Sequence, residues 1–212
     1  MVKRKTATRT ISNAGRLQAT RVVAGIKAIG LAPTESSVEA DGLLDMQYDR
    51  TIATFQVQPK TFELVVDGEA RKYTPDVKYV RATGVIGFRE FKDASQPLPP
   101  DEVRKLEAAA RRFNDEGYDF DIVNSAELRR GYRMANLRLL KRYAQWPTSE
   151  RLRAQVHDFL RQPGRHTLGC LRDLVGLAAL GGLYRMLWDQ AVGVDLVAAP
   201  LCSATPVWSL EA

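Results

Sequence analysis

Apolar and polar side chains alternate along the middle of this chain. From Ile52 to Gln58, and again from Phe62 to Val66, they exchange at almost every step, the period of a strand with one face buried. Asp67-Gly68 is a hairpin turn signal that returns the chain through Arg71 and Tyr73 towards Asp76. Beyond a second turn at Thr83-Gly84, the side chains of Ile86, Phe88, Glu90 and Lys92 fall on one face of an apolar strand. The period before Ile52 is different. Ser36-Ser-Val-Glu39 opens a predicted helix whose positions Val38, Gly42, Leu43 and Met46 fall at helical spacing.

A second helix is predicted after the loop Gln96-Pro-Leu-Pro-Pro100, with Asp101 as its cap, Val103, Leu106, Ala110 and Phe113 as its buried stripe, and Gly117 as its stop. Phe120 to Val123 then reads as a short strand, and Ser125 as the cap of a further helical region. Strand, helix and strand after a hairpin predict an α/β sandwich. Trp146-Pro147 marks a boundary, because the residue before proline resists the helical conformation. Helical patterns follow from Ser149 to Leu160, Thr167 to Val175 and Leu180 to Gln190, with Pro163-Gly164 and Gly181-Gly182 as punctuation. Two strands, Val194 to Val197 and Pro206 to Leu210, close the chain around Pro200. Three helices and a terminal hairpin are the layout of a winged helix. The expected domains are an arm over 1–33, a core over 34–147 and a winged-helix-like unit over 148–212.

Charge changes this picture at the N-terminus. Residues 1–33 hold Lys3, Arg4, Lys5, Arg9, Arg16, Arg21 and Lys27 and no acid, whereas the remainder has 24 basic against 25 acidic residues. An acid-free basic arm is expected either to meet a polyanion, nucleic acid first, or to be a solvated tail. A second basic stretch, with Arg129, Arg130, Arg133, Arg138, Lys141 and Arg142 interleaved by Leu137, Leu139, Leu140 and Tyr143, reads first as a solvated helix face and second as a track for a phosphate backbone. The helix Leu183-Tyr-Arg-Met-Leu-Trp188 has only Arg185 as a basic residue, which favours packing or protein docking over a DNA groove.

Composition excludes several classes. With 212 residues, 45% of them hydrophobic and 26% charged, the chain suits one medium domain and one small one. No apolar run approaches the roughly 20 residues of a membrane span, and Met-Val-Lys-Arg-Lys lacks the apolar centre of a secretory signal, so a cytoplasmic setting is expected. Cys170, Cys202, His157 and His166 make no usual structural zinc site without carboxylate help. There is no Gly-rich phosphate loop and no dinucleotide fingerprint, and both histidines lie in the tail, away from the carboxylates that a catalytic triad would need.

The chemistry that remains is that of oxygen ligands. Glu90 and Lys92 project together from an apolar base, where an unpaired charge costs several kcal/mol and so implies a metal, an ion pair or a phosphate. Asp76 and Glu90 together are suited to magnesium, which takes one or two carboxylates and completes its shell with substrate phosphate. Lys92 would then position water or stabilise an oxyanion, and Glu39 would add a third carboxylate if its helix packs beside the strand end. Each residue also has a plainer role open to it: Glu39 as the glutamate of a capping box, Asp76 as a turn residue, and Glu90 with Lys92 as a half-exposed ion pair worth under about 1 kcal/mol.

Ser36-Ser-Val-Glu39, Phe55-Gln-Val-Gln58-Pro59, Tyr73-Thr-Pro-Asp76 and Phe88-Arg-Glu90-Phe-Lys92, in that order, resemble the TnsA endonucleases of heteromeric cut-and-paste transposons. The resemblance covers roughly residues 35–145, with a looser match over Leu187-Trp188, Asp195-Leu196, Pro200-Leu201 and Thr205-Pro-Val207. It implies a restriction-endonuclease-like core with a mixed central sheet flanked by helices. It also implies one or two Mg2+ or Mn2+ ions held by Glu39, Asp76 and Glu90, with Lys92 as the catalytic lysine. The implied activity is cleavage of the non-transferred strand at the 5′ ends of a transposon. The implied partners are double-stranded transposon-end DNA, a DDE transposase of the TnsB type and an AAA+ ATPase of the TnsC type. The chain departs from the family in its abbreviated tail and its basic arm. Another nuclease of the same fold, restriction or junction-resolving, and a non-catalytic DNA-binding adaptor are the alternatives.

Overall fold

The computed structural model describes residues 21–22, 27–30 and 33–210. Lys3, Arg4, Lys5, Arg9 and Arg16 of the basic arm therefore lie outside the described residues. The chain forms two compact units that divide between Leu128 and Arg129.

In the first unit, β1 (Arg21–Val22) pairs with β2 (Pro33–Thr34), and α1 (Ser37–Tyr48) follows. The main sheet holds β3 (Ile52–Val57), β6 (Val77–Arg81), β7 (Ile86–Lys92) and β8 (Asp119–Asn124) in the order β3-β6-β7-β8. The first two pairings are antiparallel, and β7 and β8 are parallel, joined by α2 (Pro100–Asp115) as their crossover. A separate hairpin, β4 (Phe62–Val66) and β5 (Glu69–Tyr73), turns at Asp67 (φ 53°) and Gly68 (φ 82°), the left-handed pair that a tight hairpin requires. The short α3 (Ser125–Leu128) ends the unit. This is a mixed α/β fold: one mixed sheet with helices against it.

Each face of the sheet has its own core. Alternation along β7 decides which side chain goes where. Phe91 points to the α1 side and joins Val38, Leu43, Met46, Ile52, Phe55, Val57, Val77 and Tyr79. Gly42 is the contact point, since a Cβ there would lie 2.1 Å from the Phe91 ring. Phe88 points the other way, into a cluster built by the β4–β5 hairpin and α2 from Phe62, Leu64, Val66, Tyr73, Leu106, Ala109 and Phe113. Glu90, two residues further, belongs to that same face.

Lys27 is part of this unit, although its sequence context reads as arm. Backbone bonds from Ile29 N to the Phe55 carbonyl (2.8 Å) and from Phe55 N to the Lys27 carbonyl (2.9 Å) lay residues 27–30 along β3. The Lys27 ammonium donates to the carbonyl of Asp49, the residue that caps the C-terminus of α1, and burial pushes its pKa down. A cation at that end of a helix is favoured by the helix dipole.

Several local expectations change. Asp101 does not cap α2: Pro99 occupies the cap position and Pro100 the first turn, where its missing N–H costs nothing, and Asp101 pairs with Arg71 at 2.8 Å. Val103 is 39% exposed, and Ala108 and Ala109 take its place in the buried stripe. Asn124, not Ser125, receives the first free N–H of α3, from Glu127, while Ser125 accepts from Ala94 N.

The second unit begins earlier than Trp146-Pro147 suggests. It contains α4 (Arg133–Lys141), α5 (Glu150–Leu160), β9 (His166–Thr167), α6 (Leu168–Trp188), β10 (Val192–Val194) and β11 (Pro206–Ser209). The boundary moves from 147 to 128/129 because α4 packs on α6. Buried Asn136 also donates to the carbonyls of Leu196 and Ala199 and accepts from Leu201 N. Ser149 and Thr167, where the helical patterns begin, cap their helices, and α6 breaks at Gly176 (φ 72°) into two segments. The three strands pair antiparallel in the order β10-β11-β9. The last hairpin starts two residues before Val194, because the Asp195 carboxylate accepts from Val197 N and Ala198 N and turns the chain there. Arg185 is engaged by Asp189 and by the Ala144 carbonyl, in keeping with a packed helix. Among the described residues, no helix is long and apolar enough to cross a membrane.

Candidate functional site

The candidate residues collect around the two inner strands of the main sheet. Asp76 immediately precedes β6, and its Oδ2 accepts from Phe91 N on β7 at 2.8 Å. That bond fixes the aspartate against the strand carrying Glu90 and Lys92. The Glu90 side chain, 6% exposed as a residue, has both oxygens engaged: Oε2 accepts from the Tyr73 hydroxyl at 2.7 Å and Oε1 from Lys92 Nζ at 2.8 Å. The sequence-derived Glu90–Lys92 pair therefore exists, with Glu90 buried and Lys92 partly buried.

Two neighbours complete it. Lys92 Nζ also donates to Glu102 Oε1 at 2.8 Å, so the ammonium lies between two carboxylates. Burial alone would lower its pKa, but Glu90 and Glu102 overcome this and hold it above its ordinary value. Glu102 sits in the first turn of α2, where an acid is already expected from helix-terminus electrostatics, so nothing in its sequence context separates it from an ordinary dipole partner. Tyr73 is legible in hindsight: the alternation of β5 places it on the face of Phe62, its partner across the hairpin, over the β7 side chains. Its hydroxyl is held protonated, first by burial and then by the Glu90 charge, and so serves as a donor.

Glu39 takes the plainer of its two expected roles, closing the cap of α1. Ser36 Oγ accepts from Glu39 N at 3.1 Å, and the Glu39 carboxylate accepts from Glu35 N (2.8 Å) and Ser36 Oγ (3.1 Å), which closes the start of α1. The same carboxylate feels Glu90: its pKa is raised, chiefly by burial, with the charges of Glu35 and Glu90 adding to it. Asp76 is affected most. Burial and then the charge of Glu90 push it up to about 8, with Glu39 contributing in the same direction and Lys92 against. Asp76 thus lies against the strand that carries Glu90, and the more distant Glu39 on α1 adds its charge to both.

Carboxylate oxygens of this kind are the donors that a hard divalent cation takes. Among the described residues no three acidic, histidine or cysteine side chains are assembled as a ready metal cage. Uptake would have to draw Glu90 away from Tyr73 or Lys92, and Glu39 away from its cap. Second-layer groups are in place for this: Tyr73 behind Glu90, Phe91 N behind Asp76, and Glu102 behind Lys92. No known family model matches the chain, and none of the curated proteins matches it.

Proposed function

We propose that this protein is a metal-dependent DNA endonuclease with a restriction-endonuclease-like core and a winged-helix-like C-terminal unit. It acts in transposon excision by cutting the non-transferred strand at the 5′ ends. The observation that carries the reading is Asp76 bonded to the backbone of the strand that carries Glu90, with Lys92 held between Glu90 and Glu102. A mixed sheet whose inner antiparallel pair carries the aspartate and the Glu-x-Lys segment supports it. So does the parallel strand reached through a crossover helix.

Bound by Asp76, Glu90 and Glu39, Mg2+ or Mn2+ would supply an acidified water and positive charge for the phosphate. The chain's own groups do the rest. Asp76 must give up its proton to act as a ligand. Glu90 would have to leave Lys92 to act as a ligand. Glu102 keeps the freed ammonium in place, where it stabilises charge on a phosphate oxygen or orients the attacking water. Tyr73 and Phe91 N hold the two strand carboxylates in register. Transposon-end DNA as substrate, and a DDE transposase and an AAA+ ATPase as partners, follow from the order of the four sequence segments.

Lys92→Ala tests the division of labour. It is expected to keep Mn2+ binding while lowering cleavage of end-bearing DNA in Mg2+, with the transposition partners present, by about 100-fold or more. Cleavage at the wild-type rate would remove Lys92 from the chemistry, and would favour an adaptor in which the ion pair is structural.

A further inference from the structure

We propose that Gln58 is a positioning residue for the carboxylate site, fixing the Asp76 segment against the start of α1; this rests on the divalent-cation reading above. Asp76 and Glu39 come from different elements, and a cation needs them at a set separation. Gln58 links them. Its backbone N donates to the Asp76 carbonyl at 2.7 Å. Its Nε2 donates to Glu35 Oε1 at 3.3 Å, and Glu35 N in turn donates to the Glu39 carboxylate at 2.8 Å.

The residue is held there against its own preferences. Its φ is 45°, in the left-handed region that side chains other than glycine avoid, and Pro59 follows it, which biases the preceding residue towards extended backbone. Gln58 is only 4% exposed, and its Oε1 is buried with no hydrogen-bond partner. A glutamine kept for stability would be expected neither in a strained backbone nor with an unmatched buried acceptor. Features of this kind persist where they serve a site.

The test uses the full chain and Mn2+ alone, read by electron paramagnetic resonance titration, alongside thermal unfolding of the metal-free protein. Gln58→Met keeps the length of the side chain and removes both polar atoms. It is expected to weaken Mn2+ binding about 10-fold while leaving Tm unchanged or higher. Gln58→Gly, which relieves the backbone strain, is expected to raise Tm with the same loss of affinity. Mn2+ affinity within about twofold of the native protein in both variants overturns the proposal. So does a fall in Tm or a failure to fold, because the glutamine would then be structural. If the native protein takes up no Mn2+, or Asp76→Ala binds it equally well, the cation reading itself falls and Gln58 with it. If those two controls behave and only the Gln58 variants are silent, the metal site stands and this inference alone fails.

Discussion

Asp76 carries a charge that its surroundings resist. Burial and the neighbouring Glu90 raise its pKa to about 8 from an ordinary value of 3.8, so the metal-free fold is favoured by the proton. That contribution is fully present below the ordinary value and is lost as pH rises through about 8. Cation uptake needs the carboxylate and must expel the proton. Mn2+ affinity is therefore expected to rise roughly tenfold per pH unit between pH 6 and 7 and to level off above about 8, measured by calorimetry across that range. A flat profile would show that Asp76 is already ionised in the free protein. The pairing of Glu90 with Lys92 was legible in the sequence because charged groups closing an apolar alternating run are unusual. Glu102 was not, since it sits where helix-terminus acids are ordinary, and although Gln58 stood in one of the matching segments, its backbone angle and its partners 18 and 23 residues away were not legible.

At the scale of elements, the period-2 reading of β7 decides the site. It sends Phe88 to the α2 side and Phe91 to the α1 side, as the side-chain clusters show, and Glu90 follows Phe88 to meet the Tyr73 hydroxyl. The position of α1 depends on Gly42, which lets the helix approach the Phe91 ring. Gly42→Ala would place a methyl group 2.1 Å from that ring, well inside any real contact. Overpacking of this kind costs about 1–3 kcal/mol, so a clear drop in Tm is expected, and an unchanged Tm would mean that α1 is less closely seated. Helices and turns were legible wherever a cap or a glycine set them, as at Ser36, Ser149, Thr167, Asp67-Gly68 and Gly117. The reading failed where tertiary partners decide. Asp101 is drawn to Arg71 instead of capping α2, and Lys27 is drawn from the arm to the end of α1.

For the whole molecule, the division at 128/129 changes the meaning of the net charge. Residues 1–128 hold 19 basic and 19 acidic residues, whereas 129–212 hold 12 basic and 6 acidic, so the excess of +6 belongs to the second unit. The near-neutrality of everything after residue 33 had concealed this, because it averages an acidic core with a basic tail. Moving the boundary back from 147 gives the basic residues 129–142 to the second unit. On the proposed nuclease reading, attraction to a phosphate backbone would fall to that unit as well as to the basic arm. A site rich in carboxylates repels DNA unless a cation is bound, so substrate affinity supplied from elsewhere in the chain is consistent with a nuclease. The most direct test is strand-resolved mapping of breaks at transposon-end DNA in Mg2+, with the transposase and ATPase present, comparing the native chain with Asp76→Ala. The account predicts that 5′-end breaks on the non-transferred strand disappear with Asp76→Ala while 3′-end breaks continue; persistence of the 5′-end breaks would contradict it.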